Sequence, residues 1–156
     1  MHWWVLMYEA MQYAREHAER WEAYRAARAT ADAARLPLLN IGCPRIVPGK
    51  YPCGDVCLDL SAKRLAWCKS PSPTHGDVRA IPYPTGYFGA VLCAHVLEHL
   101  ATVADAQQAC AEMVRVAGGR VFLISPSRAS IVAWLHPEHK LWVERVSNGQ
   151  VKITQR

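Results

Sequence analysis

The sequence predicts an α/β protein. A mostly parallel sheet carries helices on both faces (three layers, α/β/α), a long helix precedes it, and an antiparallel hairpin closes the C-terminal end. Three observations carry this prediction. Short apolar runs recur as "LPLLNIG", "DVCLDL", "YFGAVLCAHV" and "RVFLIS", separated by crossover segments, which is the pattern of parallel strands buried on both faces. Residues 1–35 contain no Gly or Pro and are rich in Ala, Glu and Arg, the composition of a helix. Near the end, "LWVERVSNGQVKIT" sets Asn148-Gly149 between two strand-like runs, and a tight primed turn needs residues that tolerate positive φ.

Taken in order, the first element is a helix from about Tyr8 to Arg35. Met7, Met11, Ala14, Ala18 and Trp21 recur at spacings of four and three and mark one stripe for packing. That stripe either covers the chain's own domain or pairs with a second copy. Pro37 stops the helix, and Leu38 begins the first strand. "DVCLDL" is the second strand, and "THGDVRAIPYP" holds a short third strand and a turn. The fourth strand covers roughly Phe88 to Cys93, with a helical start expected from His95 to Leu100. A longer helix is expected from Val103 to about Ala117. Thr102 and Asp105 cap it, Ala106, Cys110, Met113, Val114 and Ala117 form its core side, and Gly118-Gly119 supplies a left-handed stop. The fifth strand, "RVFLIS", is followed by an irregular stretch and the hairpin, which is expected to extend the sheet as an antiparallel edge.

A chain of 156 residues with 51% hydrophobic and 20% charged side chains forms one domain with a sizeable core. Its formal charge of +5 is spread along the chain without a basic block, so nucleic-acid binding is not indicated. No apolar run reaches the roughly 18–20 residues that span a bilayer. The opening "MHWWVLMYEAM" lacks the basic start and cleavage site of a signal peptide. Cys43, Cys53, Cys57, Cys68, Cys93 and Cys110 sit mostly in strand-like text and read as free thiols. A cytoplasmic location is expected.

Ligands of open parallel sheets bind beyond the carboxyl ends of the strands, near the point where strand order reverses. This rule selects Asn40 to Pro44, Asp59, Asp77 and Cys93 to His99. Four segments at these places, in order, carry a resemblance. They are "LLNIGC", "VCLDLS", "GDVRAIPYPTGYFGAVLCAHVLEHL" and "AEMVRVAGGRVFLISPS". Together, over about Leu38 to Ser125, they resemble the class I S-adenosylmethionine-dependent methyltransferases, the methyltransferase type 11 group in particular. The resemblance implies a Rossmann-like sheet, S-adenosylmethionine as cofactor, and a minimal methyltransferase domain over residues 36–156 behind the helical segment 1–35.

By that resemblance, Asn40, Gly42 and Cys43 face the methionine part of the cofactor, with Gly42 allowing close backbone approach. Asp59 accepts from both ribose hydroxyls, which suits a group with two acceptor oxygens, and Leu60 lies beside it. Asp77 and Val78 flank the adenine. Cys93 and His95 line the sulfonium end. A base is needed only where the acceptor must lose a proton, and His95 and His99 are the candidates because imidazole titrates near neutrality. His136 and His139, in "WLHPEHKLW", are placed to approach the acceptor side. The chain departs from the family pattern in two places. Cys43 and Pro44 follow Gly42 where further glycines are usual, and Gly89 stands where the family carries an acid. A subgroup with Asn before Ile-Gly joins the first two strands by a proline-containing loop, and this chain is similar to it.

The acceptor is not readable. An Asn/Asp-Pro-Pro-aromatic signature is missing after the fourth strand, which points to a small-molecule, lipid or saccharide acceptor. Two other readings use the same residues. Pro44, the short chain and the long first helix fit a non-catalytic binding or assembly protein that keeps the fold; separately, that helix is expected either to cover its own domain or to form a homodimer. "HVLEH" formally fits a zinc-hydrolase pattern, but no convincing third ligand follows, although "HPEH" at His136 to His139 supplies candidates. Cys53, Cys57 and Cys68 lack a paired second half in their spacing, so no metal is expected.

Overall fold

The computed structural model describes residues 3–43, 53–146 and 150–156. Helix α1 (Trp3–Ala34) leads into β1 (Leu38–Ile41), β2 (Val56–Asp59), the one-turn α2 (Ala62–Leu65), β3 (Ser72–His75) and β4 (Ala90–Ala94). A 3₁₀ turn (Leu97–His99), α3 (Val103–Ala117), β5 (Val121–Ile124), α4 (Ile131–Leu135), β6 (Leu141–Arg145) and β7 (Val151–Gln155) follow. The first five strands form one parallel sheet in the order β3-β2-β1-β4-β5. The order reverses between β1 and β4, so the crevice expected to hold a ligand opens there.

Strand alternation divides the core in two. Leu39, Ile41, Val56, Leu58, Val91 and Cys93 face α3 and its Ala109, Met113, Val116 and Ala117. Leu38, Ala90 and Leu92 face α1 through Ala27 and Ala31. The three layers are therefore α1, the sheet and α3. The described residues hold no helix between β1 and β2 or between β3 and β4. Pro44, Pro48, Gly49, Pro52 and the Asn148-Gly149 turn lie outside the described residues.

The face of α1 that meets the domain is not the expected stripe. Met7, Met11, Ala14 and Ala18 are exposed, and Trp21 is only partly buried. The fully buried Ala27 and Ala31 seat the C-terminal part of the helix on the sheet, with Ala23 and Tyr24 partly buried against them. Further up, the contact is polar. The Glu9 carboxylate accepts from the Ile131 N–H (2.8 Å) and the Ser130 hydroxyl (3.1 Å), and Glu16 accepts from the Ser127 N–H (3.0 Å). Gly89 explains the close seat of the helix. A Cβ there would lie 2.6 Å from the Ala31 Cα and 3.0 Å from its carbonyl oxygen. The acid usual at this position in the family has no room beneath α1.

Several expected elements are corrected by their neighbours. The third strand is Ser72–His75, ahead of the Gly76-Asp77 text. It is an exposed edge, where Pro73 costs no ladder bond. The helix expected from His95 to Leu100 is only the 3₁₀ turn, because His95 takes φ +57° and Leu100 is already extended. On α3 the capping box at Thr102 and Asp105 and the left-handed Gly118 are present as expected. Its buried side is Ala106, Ala109, Met113, Val116 and Ala117, while Val114 is 50% exposed. Strand β5 is an edge and only partly buried. The β6–β7 hairpin forms a separate two-stranded sheet. It packs Val143 and Ile153 into the α3 side of the core rather than extending the parallel sheet, and Arg145 reaches back to the Leu123 carbonyl (2.7 Å).

Candidate functional site

A cavity of about 630 Å³ opens at the carboxyl ends of β1, β2, β3 and β4, within the range of small-molecule sites. Of the residues singled out from the sequence, Gly42, Asp59, Leu60, Asp77, Val78, His95 and His99 line it. Asn40, Cys43 and Cys93 do not. Asn40 is buried and uses its amide nitrogen to donate to the Gly42 carbonyl (2.9 Å), so it shapes the turn after β1. The Cys93 side chain points the other way, into the α3 core, where burial pushes its thiol well up.

Gly42 bends the chain with φ +81°, and a Cβ there would come within 2.6 Å of the Val96 Cγ2. A side chain would fill the crevice. The neighbouring Cys43 N–H donates to Asp59 Oδ2 (2.8 Å) and the Ser61 N–H to Oδ1 (2.7 Å). Each oxygen of this carboxylate thus has one backbone donor and keeps further acceptor capacity. The carboxylate is 8% exposed and belongs to the cavity wall, so two donors from a ligand can share it.

Arg79 was not singled out from the sequence, although it stands two residues from Asp77. Its Nη2 donates to Asp77 Oδ2 (2.6 Å), its backbone N–H to Oδ1 (2.8 Å), and its Nη1 to Asp105 at the start of α3 (2.7 Å). Hydrogen bonding from Arg79 holds the Asp77 carboxyl below the usual range despite partial burial. The loop after β3 is thereby tied to α3. Ser61, Arg64, Val96, Leu100, Pro137, Glu138 and Lys140 complete the wall. Only chain folding brings the last three there.

At the open end the chain gathers imidazoles. The ring centroids of His99 and His139 are 4.9 Å apart, and those of His136 and His139 are 4.2 Å apart and stacked. His95 Nδ1 lies 3.4 Å from Glu98 Oε1. Glu98 is 2% exposed, and neither of its oxygens has a hydrogen-bond partner. Burial pushes the His139 imidazole below its ordinary value. Glu98, His99 and His139 each offer a donor atom within 4.8 Å of the others, so the cluster can hold a proton or a divalent cation. The hydrolase reading of "HVLEH" required His95 and His99 on one helical face, and the 3₁₀ turn does not provide that face. The signal for Glu98 in the sequence was an acid surrounded by Val96, Leu97 and Leu100.

A second cluster lies behind β1 and β2, where Cys43 and Cys68 join Cys57, with Cys53 beside Cys68. They supply the second half that linear spacing did not show.

The family model described as a methyltransferase domain matches residues 49–123, from before β2 into β5. That stretch of the chain is similar to a methyltransferase domain. No curated protein matches the chain. Ten solved chains match. One is the YcgJ protein from Bacillus subtilis, at 17% identity and a TM-score of 0.39, with 60% of this chain and 46% of that chain covered. This chain therefore spans less than half the length of that protein. Among the described residues, no helix is long and apolar enough to cross a membrane.

Proposed function

We propose that this protein transfers a methyl group from S-adenosylmethionine to a small-molecule, lipid or saccharide acceptor. The observation that carries the proposal is a cavity at the carboxyl ends of β1, β2, β3 and β4. It is walled by the glycine turn at Gly42, the half-satisfied carboxylate of Asp59 and the Gly76-Asp77-Val78 loop.

The residues fit the cofactor. Gly42 leaves room for its methionine part, Asp59 offers one free acceptor position on each oxygen to the ribose, and Ile41, Leu58, Val78 and Val96 supply apolar wall. When bound, the cofactor supplies an electrophilic methyl on a sulfonium, a leaving group already activated. The protein's task is then to position the acceptor in line and exclude water. His95, at the end of β4, is one candidate base. Glu98 holds it from behind and would stabilise the imidazolium formed on taking a proton, so Glu98 is a positioning residue. His99, beside His136 and His139, lines the acceptor side.

The exposed Trp3, Trp4, Leu6, Met7 and Met11 support a homodimer formed through the first turns of α1. Six free cysteines support a reducing, cytoplasmic setting.

Calorimetry with S-adenosylhomocysteine tests the assignment. Binding is expected, and Asp59→Ala should weaken it by about 1–3 kcal/mol, the scale of lost charge-assisted hydrogen bonds. No binding at millimolar ligand would refute the reading. Binding with unaltered affinity in Asp59→Ala would show the ribose to lie elsewhere.

A further inference from the structure

We propose that Cys43, Cys53, Cys57 and Cys68 form a structural zinc site on the sheet face over β1 and β2. The spacing is Cys-x9-Cys-x3-Cys-x10-Cys, with the outer two residues distant in sequence and adjacent in space. The sulfurs of Cys43, Cys57 and Cys68 all lie within 4.8 Å of one another. Cys43 and Cys57 are 2.6 Å apart, and Cys53 and Cys68 are 3.8 Å apart. A tetrahedral ion with zinc–sulfur bonds of about 2.3 Å sets its sulfurs about 3.8 Å from each other. The Cys53–Cys68 pair already has that separation, and the ion would spread the Cys43–Cys57 pair by about 1 Å to reach it.

The surroundings are those of a thiolate centre. Asn40 Nδ2 points at the Cys57 sulfur (3.8 Å) and the Ser70 N–H at the Cys68 sulfur (3.5 Å). Arg64 is the cation whose charge reaches Cys43. Such outer donors offset the negative charge of four thiolates and fix their orientation. Soft sulfur ligands select zinc over oxygen-seeking cations. An iron–sulfur cluster would spread its ligands over several irons, farther apart than the sulfurs of Cys43, Cys57 and Cys68 lie; Cys53, outside that group of three, would swing in from its place beside Cys68. On loading, each cysteine forms a metal–sulfur bond and releases its S–H proton to solvent.

The position gives the site a purpose. Alternation along β1 and β2 turns Asn40 and Cys57 away from the α3 core, onto the face that α1 shields only beside Leu38, Ala90 and Leu92. The described residues hold no crossover helix there. Cys43 follows Gly42 directly, and Cys57 stands two residues before Asp59. A metal cross-link at these points would fix both strand ends that shape the proposed cofactor site.

The test is independent of methyl transfer. The full chain is expressed with zinc, purified under reducing conditions and assayed by elemental analysis. The stripped protein is then titrated with cobalt(II). About one zinc per chain is expected, with the intense sulfur-to-cobalt charge-transfer and visible bands of a tetrahedral thiolate site. Cys68→Ser should lose metal affinity at least about ten-fold, and Cys110→Ser, outside the cluster, should retain it. If Cys68→Ser does not fold, the wild-type cobalt spectrum decides alone. A folded protein that takes up neither zinc nor cobalt overturns the proposal. So does a Cys43–Cys57 disulfide in protein alkylated at lysis, or a brown chromophore with bound iron and sulfide.

Discussion

Replacing Gly89 tests the seat of α1 on the sheet without reference to function. A Cβ at this position falls 2.6 Å from the Ala31 Cα and 3.1 Å from its Cβ. Carbon atoms in good contact stand about 3.5–4.0 Å apart, so the helix must retreat by about 1 Å. The obstacle is backbone, and no rotamer change relieves it. Retreat would open the seam between Ala27, Ala31, Leu38, Ala90 and Leu92, and overpacking of this kind costs about 1–3 kcal/mol. For a chain of this size that lowers the Tm of Gly89→Ala by about 2–12 °C. Gly89→Asp restores the acid usual in the family but adds a buried, unpaired carboxylate, a further cost of about 3–5 kcal/mol. Together these costs are about 4–8 kcal/mol, a large share of a total stability of about 5–15 kcal/mol, and should lower the Tm by about 8–32 °C. Thermal denaturation followed by circular dichroism measures both. A Gly89→Ala protein melting within about 1 °C of wild type would show that α1 does not rest on β4 as described, since the smallest overpacking cost already exceeds that shift.

Other expectations concern the site and the surface. Gly42→Ala places a Cβ 2.6 Å from Val96 Cγ2 at φ +81°, and S-adenosylhomocysteine affinity should fall by about ten-fold, a strain of roughly 1–2 kcal/mol. Val96→Ala should restore part of it, and a lack of any loss would mean the crevice is not used. The Asp77 carboxyl is held below its ordinary value by Arg79, so the unfolded chain takes up the proton first. Its contribution to stability is complete above about pH 3.9 and is lost as pH falls through the lower folded value. Urea midpoints of wild type and Arg79→Ala should therefore differ at neutral pH and converge in strong acid; a constant difference would contradict the pairing. Light scattering should give twice 17.4 kDa, and Met7→Lys with Met11→Lys should return the monomer. A wild-type monomer would end the dimer proposal.

Much of this molecule is legible along the chain, because the relevant physics is local. An uninterrupted Ala-rich stretch makes α1. Apolar runs of four or five residues make the parallel strands. Thr102, Asp105 and Gly118 set the ends of α3 by backbone hydrogen bonding and left-handed geometry. The placement of Gly42, Asp59, Asp77 and His95 follows from the rule that ligands meet the carboxyl ends of such strands. The sequence also showed Gly89 to be out of pattern, without a reason.

Tertiary structure decided what depends on which distant groups meet. The reason for Gly89 is Ala31, which lies 58 residues earlier and sits against it only in the folded chain. A hydrophobic stripe shows where apolar residues lie on α1, whereas the contacts that seat it include the buried Ala27 and Ala31, the carboxylates of Glu9 and Glu16, and the Arg28–Asp55 pair. Glu98 was hidden inside a motif that needed a helix, and the left-handed His95 removed that helix. The four cysteines read as isolated thiols because metal-ligand spacing is judged along the chain. The parallel pairing of β1 with β2 brings Cys43 to Cys57, and the turn through α2 returns Cys68 to both. Local propensities thus determined the elements and the strand ends, while long-range packing decided which side chains share a face, a cavity or a cluster.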